Sequence, residues 1–205
     1  DLWAAQRERA PEETTVAVQG FGNAAYHFAR LASAEGYRVV AVSDSSGGRY
    51  AADGLDIEAL KKDKQSHGKL SKSQQGKALS GEQLLALEVD VLALAALENQ
   101  VHGDNVAEVQ AGAILEIANG PLTSDADRAL EKRDVDVLPD VLVNTGGVVV
   151  SYFEWLQNRA GEKWSEEQVN ERLDTLLERE ASQVLKRAEQ EQVSFRHAAY
   201  CQGIE

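Results

Sequence analysis

Gly20, Gly22 and Ala25 stand in the stretch "VQGFGNAAYHFAR", which begins at Val18, with the spacing G-x-G-x-x-[G/A]. That spacing suits the holding of a pyrophosphate. Gly20 permits a tight turn from strand to helix. Gly22 lets the backbone approach the phosphates with no side chain in the way, and a small residue at Ala25 lets helix and strand pack closely. Free N–H groups and the helix dipole then favour the anion. Asp44 lies 24 positions after Gly20, near the ~20-residue offset at which a carboxylate accepts hydrogen bonds from a ribose diol. The alternative for Asp44 is a solvated turn residue capping the next segment. Other small or polar residues directly follow apolar runs: Ala95 and Ala96, Asn119 and Gly120, and Asn144. An asparagine amide both donates and accepts, which suits a carboxamide or a ribose. A single asparagine after a strand is commonly a turn residue, but two beside a Gly-x-Gly turn make a constellation.

Other chemistries find less support. His27, His67, His102 and His197 show no metal-ligand spacing, and His27 reads as a helix-face residue. Cys201, the one cysteine, has no neighbouring histidine or glycine turn to activate it and reads as structural. No glycine turn is followed by Gly-Lys-Ser/Thr, so there is no P-loop. Lys61, Lys62, Lys64, Lys69, Lys72 and Lys77 read as a solvated polar excursion rather than as catalytic amines.

The elements that must position these residues alternate along the chain. "TTVAVQG" reads as a buried strand stopped by a turn. "NAAYHFARLASAEG" spaces Ala25, Phe28, Ala29 and Leu31 at helical intervals, with Gly36 to close the helix. "RVVAVSD" is a second strand, parallel to the first in a βαβ unit. "SSGGRYAADG" reads as a Gly-rich turn, "DIEALKKDKQ" as a short helix, and Ser66 to Ser80 as a surface excursion. "EVDVLALAALENQ" and "AGAILEIANG" hold a third and a fourth strand. "TSDADRALEKR" is a helix with an acidic first turn and a basic last turn. "VDVLPDVLVNTGG" predicts one or two more short strands, the last running into Asn144. "VVVSYFEWLQNRAG" starts a helix just after Gly146 and Gly147, and Ser165 with Gln168 makes a capping-box pattern for another. The pattern predicts an α/β fold: a Rossmann-like doubly wound parallel sheet with a C-terminal helical tail. Residues 1–160 would form the dinucleotide-binding domain and 161–205 the tail.

Composition bounds the rest. A hydrophobic content of 43% in 205 residues supports a folded core rather than disorder. No apolar run approaches the roughly 20 residues of a membrane span. One cysteine excludes an internal disulfide, and the expected setting is reducing and cytoplasmic. Thirty-four acids against 21 bases leave a net charge of −13, which repels nucleic-acid phosphate. That charge suits a plain acidic protein or, as favoured here, a surface adapted to high salt, where self-repulsion is screened. The chain lacks an initiator methionine and stops at "AAYCQGIE", partway through a helical pattern; sequence is expected to be missing on one or both sides.

"VAVQGFGN", "VVAVSDSSGG", "AALENQ", "ANGP" and "VSYFEW" appear in the order seen in the cofactor-binding domain of the glutamate dehydrogenases, and the chain closely resembles them from about Thr14 to Tyr200. "VSYFEW" is similar to the glutamate enzymes rather than to their leucine, phenylalanine and valine relatives. The resemblance implies oxidative deamination of L-glutamate to 2-oxoglutarate and ammonia, with NAD or NADP as cofactor. By that likeness Gly20, Phe21, Gly22 and Asn23 form the pyrophosphate turn, and Asp44 and Ser45 hold the adenine ribose. Ala95 and Ala96 border the cofactor, Asn99 and Asn119 lie near its nicotinamide end, and Asn144 holds the nicotinamide ribose or carboxamide. Ser151 donates to the distal carboxylate of glutamate; its alternative is a helix serine bonded to an upstream carbonyl. The family's catalytic lysine and aspartate belong to an N-terminal substrate domain that nothing here matches, so this chain is expected to bind cofactor without turnover. The full-length protein would be a homo-hexamer, and the chain alone a monomer or weak dimer.

The chain also departs from the family pattern. Ala24-Ala25 replaces Val-Gly, Leu94 replaces proline, Ile117 replaces glycine and Thr145 replaces alanine. Ile117 and Thr145 are expected to narrow the cleft. The alternative function is therefore a non-catalytic dinucleotide-binding or regulatory paralogue. For the cofactor, Asp44 would repel a 2′-phosphate and favours NAD, whereas Ser45, Ser46 and Arg49 lie close enough in sequence to take a phosphate instead.

Overall fold

Val16, Ala17 and Val18 offer no polar face, as befits a strand covered on both sides, and Thr15–Gln19 forms β1 at the centre of a seven-stranded sheet. The computed structural model describes residues 1–204. A short helix, α1 (Leu2–Gln6), precedes β1, and α2 (Asn23–Ala34) carries the chain to β2 (Arg38–Asp44), parallel to β1. There follow β3 (Gly47–Tyr50), α3 (Ile57–His67), β4 (Lys77–Leu79), α4 (Gly81–Leu85) and β5 (Val91–Leu94). Next come β6 (Ala113–Glu116), α5 (Ser124–Glu131), β7 (Asp136–Leu138) and α6 (Asp140–Val143), and then three helices, α7 (Gly146–Ala160), α8 (Glu166–Glu191) and α9 (Phe195–Ile204).

The strand order is β4-β3-β2-β1-β5-β6-β7. The strands β2, β1, β5, β6 and β7 are parallel, while β3 and β4 add an antiparallel edge. The order reverses between β1 and β5, and at such a switch point a crevice opens beyond the carboxyl ends of the strands.

Side chains alternate across the sheet with period two. Ala17, Leu92, Leu94 and Ile114 pack against Leu84, Ala126 and Leu130 on one face. Val16, Val18, Val42 and Ala93 pack against Ala25, Ala29 and Leu60 on the other. The tail covers the far end of that second face, where Val184, Leu185, Ala188 and Phe195 meet Trp3 and Ala113. The capping box at the start of α8 is formed: the Ser165 hydroxyl accepts from the Gln168 N–H, and the Gln168 side chain accepts from the Ser165 N–H.

Several expectations change. The stretch expected as a Gly-rich turn contains β3, because Gly48 fits where a Cβ would lie 2.8 Å from Leu79 and from the Val42 carbonyl. The excursion from Ser66 to Ser80 is partly built in: Leu70 and Ser73 are buried, and β4 closes the sheet edge. Leu31 points to solvent. The last strand does not reach Asn144. It ends at Leu138, and Pro139 leads into α6, whose first N–H is capped by a carboxylate from another strand, Glu116.

Candidate functional site

The two glycines of the turn answer to different neighbours. Gly20 has φ +102°, and a Cβ on it would lie 2.6 Å from the Ala95 carbonyl oxygen. Conformation and close packing on the end of β5 both demand glycine there. Gly22 has φ −81°, open to any residue, and a Cβ on it would meet nothing within 4 Å. Among the described residues no atom requires glycine at that position. No side chain caps α2, so the N–H groups of its first turn, from Asn23 onward, have no helical acceptor. Ala25 is buried against Val18 and Val42, as the close-packing role requires. The buried Phe21 presents its carbonyl to Lys64, whose Nζ donates to it at 3.1 Å.

At the end of β2, Asp44 has partners on both oxygens. Oδ1 accepts from the N–H of Ser46 at 2.8 Å and from its hydroxyl at 2.6 Å, and Oδ2 faces the Lys64 Nζ at 2.8 Å. Burial pushes the carboxyl up, but Lys64 and Ser46 outweigh it and hold the group below its usual range. Asp44 thus caps the turn that follows β2, the alternative left open by the sequence. Lys64 does not belong to a solvated excursion. It reaches from α3 to the glycine turn, and the packing of α3 against α2 brings it there. Ser45 is exposed beside Asp44, and Arg49 is buried in β3 with Nη2 donating to the Ser71 carbonyl at 2.6 Å.

Beyond the ends of β1, β5 and β6 lies a cleft of about 1020 Å³. Its walls include Ala24, Ala95, Ala96, Asn99, Ile117, Asn119, Asn144, Val148 and Ser151. Asn99 holds φ +52° and donates its backbone N–H to the Gly120 carbonyl at 2.9 Å, tying the loops after β5 and β6 together. Asn144 Nδ2 donates to Asn119 Oδ1 at 2.6 Å and to the Ile117 carbonyl at 3.3 Å. Among the described residues nothing engages Asn144 Oδ1 or Asn119 Nδ2, so the pair keeps one acceptor and one donor. The Ser151 hydroxyl donates to the Gly147 carbonyl at 3.0 Å, the local bond that was its alternative. Ile117 does form part of the wall, but Thr145 sits at the N-cap of α7 and is not among the lining residues. The cleft keeps a volume ordinary for a ligand site. Among the described residues Glu98 is its one ionisable lining residue.

Glu116, which the sequence reading did not single out, supports this floor from below. It is 1% exposed at the end of β6. Its Oε2 accepts from the Asp140 N–H at 2.9 Å and its Oε1 from Arg196 Nη2 at 2.8 Å. Burial pushes its carboxyl above the usual value despite both bonds. The available signal was an acid inside the apolar run "AILEI". A second hollow of about 740 Å³ lies beside edge strand β7, between α1, α5 and α9. Several of its charges are paired with one another, Arg7 with Asp136 at 2.7 Å and Arg196 with Asp127 at 2.9 Å, so the cleft at the switch point is the better ligand site.

A family model described as glutamate/leucine/phenylalanine/valine dehydrogenase matches residues 3–205. The NADP-specific glutamate dehydrogenase of Synechocystis sp. is 46% identical over 206 residues, covering 96% of this chain and 48% of the relative. The cryptic catabolic NAD-specific glutamate dehydrogenase GudB of Bacillus subtilis is 40% identical over 189 residues, covering 92% of this chain and 44% of the relative. Among solved structures, the hetero-hexameric glutamate dehydrogenase of Thermus thermophilus in its leucine-bound form superposes with a TM-score of 0.89 at 36% identity, covering 98% of this chain and 47% of that one. The chain spans about half the length of the relatives it matches.

Proposed function

Because the chain belongs to the glutamate/leucine/phenylalanine/valine dehydrogenase family, we propose that it is the dinucleotide-binding part of an NAD(P)-dependent glutamate dehydrogenase. The full-length protein would deaminate L-glutamate to 2-oxoglutarate and ammonia in the cytoplasm. The observation that carries the reading is the contrast between Gly20, which the protein's own packing requires, and Gly22, whose missing side chain leaves open space before an uncapped helix. That space and those N–H groups fit a pyrophosphate.

On this reading residues 1–160 hold the cofactor and 161–205 pack back on them. The backbone from Gly20 through Phe21 and Gly22 to Asn23 takes the pyrophosphate, and Asp44 and Ser45 the adenine ribose. Ala95 and Ala96 form the wall. Asn99 and Asn119 lie near the nicotinamide end, and Asn144 takes the carboxamide or its ribose. The bound cofactor supplies the hydride acceptor. Ser151 donates to the distal carboxylate of glutamate once its hydroxyl leaves the Gly147 carbonyl. The proton-transfer groups lie outside the chain, in the family's substrate domain, and a cleft lined by Glu98 alone among ionisable residues supports that. The whole protein would be a homo-hexamer, and this chain alone a monomer or weak dimer.

The sequence leaned to NAD on the charge of Asp44. With Lys64 at 2.8 Å the pair carries no net charge, and its repulsion of a 2′-phosphate falls away. We read the site as admitting either cofactor, with Asp44 favouring NAD, and Lys64 with Ser46 favouring NADP. The two curated relatives divide in the same way.

Calorimetric titration of the chain with NADH and with NADPH, at low and at molar salt, tests the proposal. Saturable binding of at least one is expected, with no glutamate-dependent reduction of either oxidised cofactor. Turnover by this chain would overturn the placement of the catalytic groups. A folded chain that binds neither would favour the non-catalytic paralogue.

A further inference from the structure

We propose that Arg196, in the last helix, is a positioning residue for the nicotinamide end of the cleft, acting through Glu116 and Asp140 on the Asn119–Asn144 pair. The proposal rests on the cofactor reading above and adds a residue that no motif of the turn or cleft contains.

The chain of contacts is continuous. Arg196 Nη2 donates to Glu116 Oε1 at 2.8 Å, and Glu116 Oε2 accepts the Asp140 N–H at 2.9 Å. Asp140 Oδ2 accepts the N–H of Gly120 at 2.8 Å, in the loop that carries Asn119. Asp140 also opens α6, the one-turn helix that ends at Asn144. Both carboxylates therefore act at the start of this short helix, Glu116 on its first N–H and Asp140 on the loop that carries Asn119, and neither lines the cleft itself. Glu116 is buried, and a buried carboxylate needs a cation or must neutralise. Arg196 is that cation. Its Nε also donates to Asp127 at 2.9 Å, and its Nη1 lies 3.8 Å from Asp140 Oδ1. One guanidinium thus faces three carboxylates from β6, α5 and α6, an arrangement suited to a planar fork and not to a point charge. Without it, three acids would crowd around the base of α6, and the pair above it would lose its register.

A cofactor fragment separates positioning from general structure. NADH spans both ends of the site, whereas ADP-ribose carries the adenine and pyrophosphate parts and lacks the nicotinamide. With Arg196→Met we expect NADH binding by the chain to weaken about tenfold while ADP-ribose binding changes by less than about twofold. Arg196→Lys keeps a charge but loses the fork, and should weaken NADH about threefold with ADP-ribose again unchanged. This variant decides the matter if the methionine variant does not fold. Unchanged NADH affinity in Arg196→Lys and in any folded Arg196→Met, or equal loss for both ligands, overturns the inference. A wild-type chain that binds neither ligand overturns the cofactor reading and this one with it, and is distinguished by being seen before any substitution is made.

Discussion

Asp44 and Lys64 face each other across 2.8 Å at the end of β2, and on the proposed function their balance would set what the adenine-ribose end accepts. A carboxylate matches a ribose diol; an ammonium matches a phosphate. Replacing Lys64 with methionine should leave NADH binding nearly intact and weaken NADPH about tenfold, and replacing Asp44 with alanine should shift the ratio the other way. An unchanged NADH/NADPH ratio in calorimetry of either variant would remove that residue from the discrimination. Asp44 also carries a pH signature. Its carboxyl is held below the usual value by Lys64 and Ser46, against the effect of burial. A group depressed in the folded state contributes stability above its unfolded pKa and loses it as pH falls through the folded one. Asp44→Asn should therefore flatten the fall of thermal midpoint on acidification below about pH 4. A parallel fall in both proteins would show that the pair does not stabilise the fold.

At the scale of elements, the strand–turn–helix unit holds within three residues one glycine that the packing requires and one that it does not. Gly20→Ala puts a methyl 2.6 Å from the Ala95 carbonyl at φ +102°, so β1, α2 and the end of β5 must shift; a cost of about 2 kcal/mol or more is expected in denaturant unfolding. Gly22→Ala meets no protein atom and should change stability by less than about 0.5 kcal/mol. On the proposed function it should nonetheless weaken dinucleotide binding about tenfold or more, because the methyl would enter the space assigned there to the phosphates. Equal effects of the two substitutions on stability would refute the division. The helix α6 makes a related point. Its four residues are too few to persist alone, and it exists because Glu116 caps its start from a neighbouring strand.

For the whole molecule, a net charge of −13 repels itself in dilute buffer and is screened within a few ångströms at molar salt. The thermal midpoint should rise from about 0.1 M to about 2 M KCl with the transition still cooperative; loss of cooperativity or a lower midpoint would count against a surface adapted to salt. No helix of the described residues is long and apolar enough to cross a membrane. Leu97, Val148, Tyr152 and Trp155 leave apolar surface exposed on and beside the cleft, the flank on which the proposed function places the substrate and its domain.

The sequence by itself determined the parallel core strands, the α2 helix, the capping box of α8 and the glycine turn, because each rests on neighbours within a few positions: period-two burial, helical spacing, a cap three residues away. It also placed Asp44 at the end of the second strand and Asn119 just after the strand that holds Glu116. Only the tertiary structure decided what depends on residues far apart in the chain. Lys64 looked like one of six solvated lysines until α3 packed beside α2 and delivered it to the turn. Asn144 looked like a strand end until Glu116, 24 positions upstream of Asp140, capped a helix in its place. Arg196 and Glu116 lie 80 positions apart, and no local pattern marks a pair whose bond is made only when the last helix folds back across the sheet.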